Sequence, residues 1–95
     1  MPAYIIAHVE VTNPEQYREY TQRTPEAIAR YGGKFMVRGG RAITLEGPED
    51  KRRIVVIEFP TLEQAEIFYR SPEYSAARQI RSGAAIASFI AVEGV

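Results

Sequence analysis

Three ionisable side chains in this 95-residue chain have the types and the placement for proton-transfer chemistry: His8, Glu58 and Arg38. His8 lies in an alternating stretch and Glu58 interrupts an otherwise apolar run, so strand parity puts both on one face of neighbouring strands. Arg38, just ahead of Gly39-Gly40, is expected on that face too. A histidine oriented by a carboxylate beside a cation can abstract a proton and stabilise the oxyanion left behind. The same trio also reads as a buried, mutually satisfied polar cluster at a dimer interface. No metal site is expected, because one histidine and no cysteine leave the usual zinc ligand set incomplete.

A second set joins Arg38-Gly39-Gly40-Arg41 to Tyr69, Tyr74, Arg78 and Arg81. A bend with free backbone N–H groups, flanked by arginines and phenols, suits a carboxylate or a phosphate. The structural alternative is that the glycine pair only bends a strand, while Tyr74 packs under a helix junction. Arginines late in a helix also complement its dipole without any ligand. Neither a GxGxxG nor a P-loop spacing occurs, so nucleotide binding is unsupported and no cofactor is expected. Tyr17, Tyr20 and Tyr31 recur at helical spacing and read as core.

These residues must be positioned by a single small domain, residues 1–95, with a modest core that association would help. Twelve basic and twelve acidic residues cancel, which leaves no net field to attract nucleic acid or an anionic membrane. The aromatic-rich strand motif that stacks bases in related folds is also missing. All basic residues but Lys34 and Lys51 are arginine. Genomic base composition explains such a bias as readily as anion recognition does. Without cysteine there is neither a disulfide framework nor thiolate chemistry. No apolar run approaches a membrane span and no signal-peptide pattern opens the chain, so a bacterial cytoplasmic protein is the expectation.

Ala3 to Thr12 alternates as a strand. Asn13-Pro14-Glu15-Gln16 then caps a helix whose buried face is Tyr17, Tyr20, Thr24, Ile28 and Tyr31. Pro25 predicts a kink or a two-segment helix, and Gly32-Gly33 its end. Lys34 to Glu46 reads as one long strand bent at Gly39-Gly40, turning at 47–51 into a hairpin with Ile54–Phe59. Pro60 ends that strand. Thr61 with Gln64, and Ser71-Pro72-Glu73, start two further helices. Ala87 to Val92 is the last strand.

The order β-α-β-β-α-β, with its last helix broken in two, is that of an α+β ferredoxin-like split sandwich. It puts the first and third strands side by side in the middle of a four-stranded antiparallel-type sheet, that one pair expected parallel, with the helices on one face. The other face would carry Tyr4, Ile6, His8, Met36, Val56 and Ile90, too apolar for solvent. A homodimer with sheets packed face to face is the predicted cover.

The wording of AHVEVTNPEQY, YGGKFMVRGG, RRIVVIEFPTLEQAEIFYRSPEY and IAVEG resembles the family called domain of unknown function 1330, across nearly the whole chain. That resemblance implies the dimeric α+β barrel, a ferredoxin-like dimer shared with cofactor-free monooxygenases and small isomerases. It brings no reaction. Two function classes follow: a cofactor-independent enzyme or binder for a small, partly hydrophobic anionic metabolite, and a non-catalytic dimeric structural or ligand-sensing module.

Overall fold

The computed structural model describes residues 1–95. Its elements are β1 (Ala3–Val11), α1 (Pro14–Arg30), β2 (Lys34–Arg38), β3 (Arg53–Phe59), α2 (Leu62–Tyr69), α3 (Pro72–Arg81) and β4 (Ala85–Glu93). Each helix begins where a side-chain acceptor precedes it. Asn13 accepts from the Gln16 amide at 3.2 Å, Thr61 from Gln64 at 3.0 Å and Ser71 from Tyr74 at 3.1 Å. Past the end of α1, Gly32 takes φ +81°, and a side chain on Gly33 would run into the Phe59 ring and Ile28.

Pro25 does not divide α1, which runs as one helix of 17 residues. Its missing N–H leaves the Thr21 carbonyl without a helical partner. That carbonyl instead accepts from Thr24 Oγ1 at 3.3 Å and from the Arg38 guanidinium at 2.8 Å. A local sequence irregularity thus becomes the anchor for an arginine from another element.

The sheet order is β2-β3-β1-β4, and every neighbouring pair is antiparallel. The expected central position of β1 and β3 holds, but their expected parallel direction does not. The α1 crossover sets β1 and β2 in the same direction, and β3, reversing out of β2, lies between them, so it must oppose both. The long bent strand is also shorter than expected. Gly39, at φ +69°, donates a last amide to the Ile54 carbonyl at 2.9 Å, and residues 40–52 then leave the sheet. Ile43 and Leu45 stand exposed in that segment rather than pairing.

All three helices cover one face of the sheet. Ile5, Ala7 and Val9 of β1, with Ile57 and Phe59 of β3, meet Tyr17, Tyr20, Ala65, Phe68, Tyr74 and Ala77 in one buried cluster. Aromatic rings form its centre: Phe59 and Phe68 are 5.0 Å apart, Phe68 and Tyr74 4.8 Å. Gln16 ties α1 to the end of α3 by donating to the carbonyls of Ile80 and Ser82. On the other face Ile6 lies between Val56 and Ile90, while Ile86, Ile90 and Val92 are exposed.

Candidate functional site

Between Phe35 and Val37, β2 advances two residues while β3 advances one, from Ile57 to Val56. This bulge at Met36 reverses the facing of the rest of the strand. Val37 now pairs with Val56 on the open face, and Arg38 pairs with Val55 on the helix side. Arg38 is therefore not beside His8, contrary to the expected parity. It lies over the Phe35 ring at 4.4 Å and reaches α1 at the Thr21 carbonyl.

His8 and Glu58 do share the open face, but not a site. His8 is opposite Ile54 and Glu58 opposite Tyr4, which separates them by about 13 Å at the strand rise. Glu58 takes a hydrogen bond from Tyr4 at 3.3 Å and a contact from Lys34 at 3.5 Å. His8 Nδ1 is buried without a hydrogen bond, and its nearest carboxylate is Asp50 at 3.6 Å. Asp50 is held by the backbone and guanidinium of Arg52, which keep its carboxyl well below the usual range. Nothing in the local sequence beyond a turn composition pointed to Asp50 as the neighbour of His8.

On the helix side, Arg38 and Arg53 stand at the rim of a cleft between α1 and the sheet, which we call the α1 cleft. Its walls include Tyr17, Tyr20, Thr24 and Tyr74, and none of its lining residues is acidic. The enclosed void is about 30 Å³, room for roughly two waters. Arg53 lies 5.7 Å over the Tyr17 ring, with its Nε buried and unbonded. Gly39 gives it space, since a side chain there would collide with the Arg53 guanidinium. Gly39 therefore serves the site by close approach, while Gly40 and Arg41 are exposed and take no part in it.

Inside the cleft Tyr20 and Tyr74 share a hydrogen bond of 2.6 Å. Burial, first among the causes, pushes both phenols above their ordinary value; for Tyr20 the neighbouring Tyr74 adds to it. Both are neutral at physiological pH, and one of their two protons is spent in the bond they share.

The second expected set assembles in part. Tyr69 packs 5.3 Å from Tyr74 and 5.7 Å from Phe89, and Arg78 donates to its hydroxyl at 3.2 Å. Arg81 is only 9% exposed and lies over the rings of Phe89 and Tyr20 at 4.9 and 5.5 Å. Its Nε is buried and unbonded. Arg38, Arg53 and Arg81 form no ion pair, whereas Arg30, Arg52 and Arg70 each have a carboxylate. Sequence periodicity placed Arg81 beside the apolar stripe of α3 and gave no sign that it turns inward. Arg53 was likewise hidden at the start of a strand. No three His, Cys, Asp or Glu side chains converge as metal ligands.

A family model for a domain of unknown function, DUF1330, matches residues 2–95. The chain belongs to the DUF1330 family. No curated protein sequence matches it significantly. Among solved structures, this DUF1330 chain is similar to a protein of unknown function from Rhodopseudomonas palustris. The two share 22% identity at a TM-score of 0.78, over 99% of this chain and 82% of the other. SnoaB, a cofactor-independent oxygenase from Streptomyces nogalater, is 12% identical at a TM-score of 0.71, with 99% and 93% covered. A dimeric protein of unknown function with a ferredoxin-like fold, from Bacteroides fragilis, is 17% identical at 0.61, with 98% and 96% covered. These likenesses establish the ferredoxin-like fold of the DUF1330 chain. No helix in it is long and apolar enough to cross a membrane.

Proposed function

We propose that this DUF1330 protein is a bacterial cytoplasmic homodimer that binds a small, partly hydrophobic anionic metabolite in its α1 cleft without a bound cofactor. The observation that carries this reading is the pair of rim arginines, Arg38 and Arg53, over an aromatic interior with neither a carboxylate partner nor an acidic wall. Arg38 is exposed at the mouth and Arg53 is part-buried with an unbonded Nε, so an arriving anion would give both the counter-ion they lack. Planar guanidinium groups and neutral phenols suit a carboxylate, an enolate or a phenolate.

The cleft holds cations and neutral donors and no base. His8, Asp50 and Glu58 lie on the opposite sheet face. Any chemistry there is that of a substrate arriving as its own anion, which the site stabilises rather than generates. Oxygenation by O2 of a substrate already ionised as its enolate or phenolate fits this arrangement, whereas isomerisation that needs a base does not, and SnoaB contributes analogy of fold alone. The apolar open face, with Ile6, Val56 and Ile90 at its centre, supports sheet-to-sheet packing against a second copy. That packing would place the Tyr4–Glu58 and His8–Asp50 pairs in the interface rather than in the ligand site.

The small void favours a second reading. With room for roughly two waters, the α1 cleft as it stands suits a non-catalytic dimeric module, and the ligand reading requires Arg38 and the edge strand β2 to move aside. Calorimetric titration with salicylate, a compact aromatic anion, separates the two. Saturable binding that weakens at least about 10-fold in Arg53→Met supports the ligand reading. No binding supports the module, and equal binding in the variant places the anion outside the α1 cleft and overturns the ligand reading for it.

A further inference from the structure

Along the other edge of the sheet, α2 and β4 enclose a larger cleft of about 460 Å³, within the size range of small-molecule sites. Its lining is mostly apolar, with Ile5, Leu62, Ala65, Ala87 and Phe89 among it, and Arg81 enters from α3. It shares only Phe89 with the α1 cleft. We infer that this β4 cleft is a second binding site, for a small monocarboxylate with a flat apolar body, seated on Arg81.

Arg81 supplies the charge. It is more than nine-tenths buried, forms no ion pair and leaves Nε without a hydrogen bond. Its guanidinium lies against the rings of Phe89 and Tyr20, beside the Tyr74 hydroxyl, and its Nε donor is unspent. The other charges at the cleft neutralise each other: Glu66 lines it, but its carboxylate is engaged by Arg70 at 3.3 Å. One uncompensated cation against apolar walls matches one negative charge, so a monocarboxylate fits better than a multiply charged phosphate. Tyr69, held by Arg78, and Phe89 offer ring faces for a flat body to pack on.

The test is amide chemical-shift mapping of the whole protein titrated with phenylacetate, with the neutral isostere phenylacetamide as control. The site predicts saturable shifts centred on Ala65, Tyr69 and Ala87, and at least about 10-fold weaker binding of the amide. Arg81→Met should weaken phenylacetate at least as much. Ala87→Leu, which fills the cleft and leaves Arg81 in place, should weaken it too and stands in should Arg81→Met fail to fold. Equal binding of phenylacetamide, or the absence of saturable shifts, overturns the inference. Shifts centred on Thr21, Thr24 and Phe35 overturn it as well, while leaving the proposal for the α1 cleft standing.

Discussion

Arg53 and Arg81 are held in places where an arginine is expensive and a methionine would not be. Each has a buried, unbonded Nε and an aromatic ring beneath it, and neither has a carboxylate. Arg53 is part-buried and pairs with no carboxylate, so replacing it orphans no counter-charge and keeps an apolar side chain on the Tyr17 ring. Thermal and urea unfolding of Arg53→Met should therefore show stability within about 1 kcal/mol of the parent, or above it, while salicylate binding falls. A stability loss beyond about 2 kcal/mol would make Arg53 a structural residue. The tyrosine pair predicts a pH effect. Tyr20 and Tyr74 have folded values raised above the ordinary 10.0, so their contribution is complete below that pH and is lost as pH rises through their folded values. In an alkaline absorbance titration these two phenols should ionise last, together with loss of far-UV dichroism. Early, reversible ionisation of all six tyrosines would contradict their burial.

At the scale of elements, caps and periodicity were legible because they are local. Asn13, Thr61 and Ser71 each start a helix through a side-chain bond three residues on, and that spacing is written in the chain. Ser71 also donates to the Phe68 carbonyl at 2.7 Å and is buried, so Ser71→Ala should cost about 1–2 kcal/mol in denaturant unfolding. The exposed cap variant Thr61→Ala should cost about 1 kcal/mol or less. Equal losses would mean that burial at the α2–α3 junction adds nothing. The bulge at Met36 was not legible. Glycine pairs advertise irregular strands, so the slip was expected at Gly39-Gly40, yet the strand breaks parity at a methionine three residues earlier. With the slip at Met36, Arg38 falls on the helix side and donates to the Thr21 carbonyl freed by Pro25, a contact that lies outside β2. Two irregularities far apart in sequence meet at one hydrogen bond, and reading either alone gives the wrong face for Arg38. The same non-locality hid the approach of Asp50 to His8 and the inward turn of Arg81.

At the scale of the whole molecule, one sheet face is sealed by helices and the other is left apolar. The order of strands and helices was readable from pattern, because each strand and helix carries its own periodicity. The direction of β3 against β1 follows only when the hairpin and the crossover are traced together. A face centred on Ile6, Val56 and Ile90 predicts that Val56→Asp, which puts a charge at the middle of a sheet-to-sheet contact, yields a folded monomer by sedimentation velocity. A Val56→Asp dimer would require another interface. Native mass spectrometry of the protein incubated with salicylate addresses the central claim, that unpaired arginines in a dimeric sandwich hold an organic anion. Dimer ions carrying the salicylate mass, with fewer adducts in Arg38→Met/Arg53→Met and none when Arg81→Met is added, are the expected result. Monomers, or bare dimers from the parent protein under the same conditions, would contradict it.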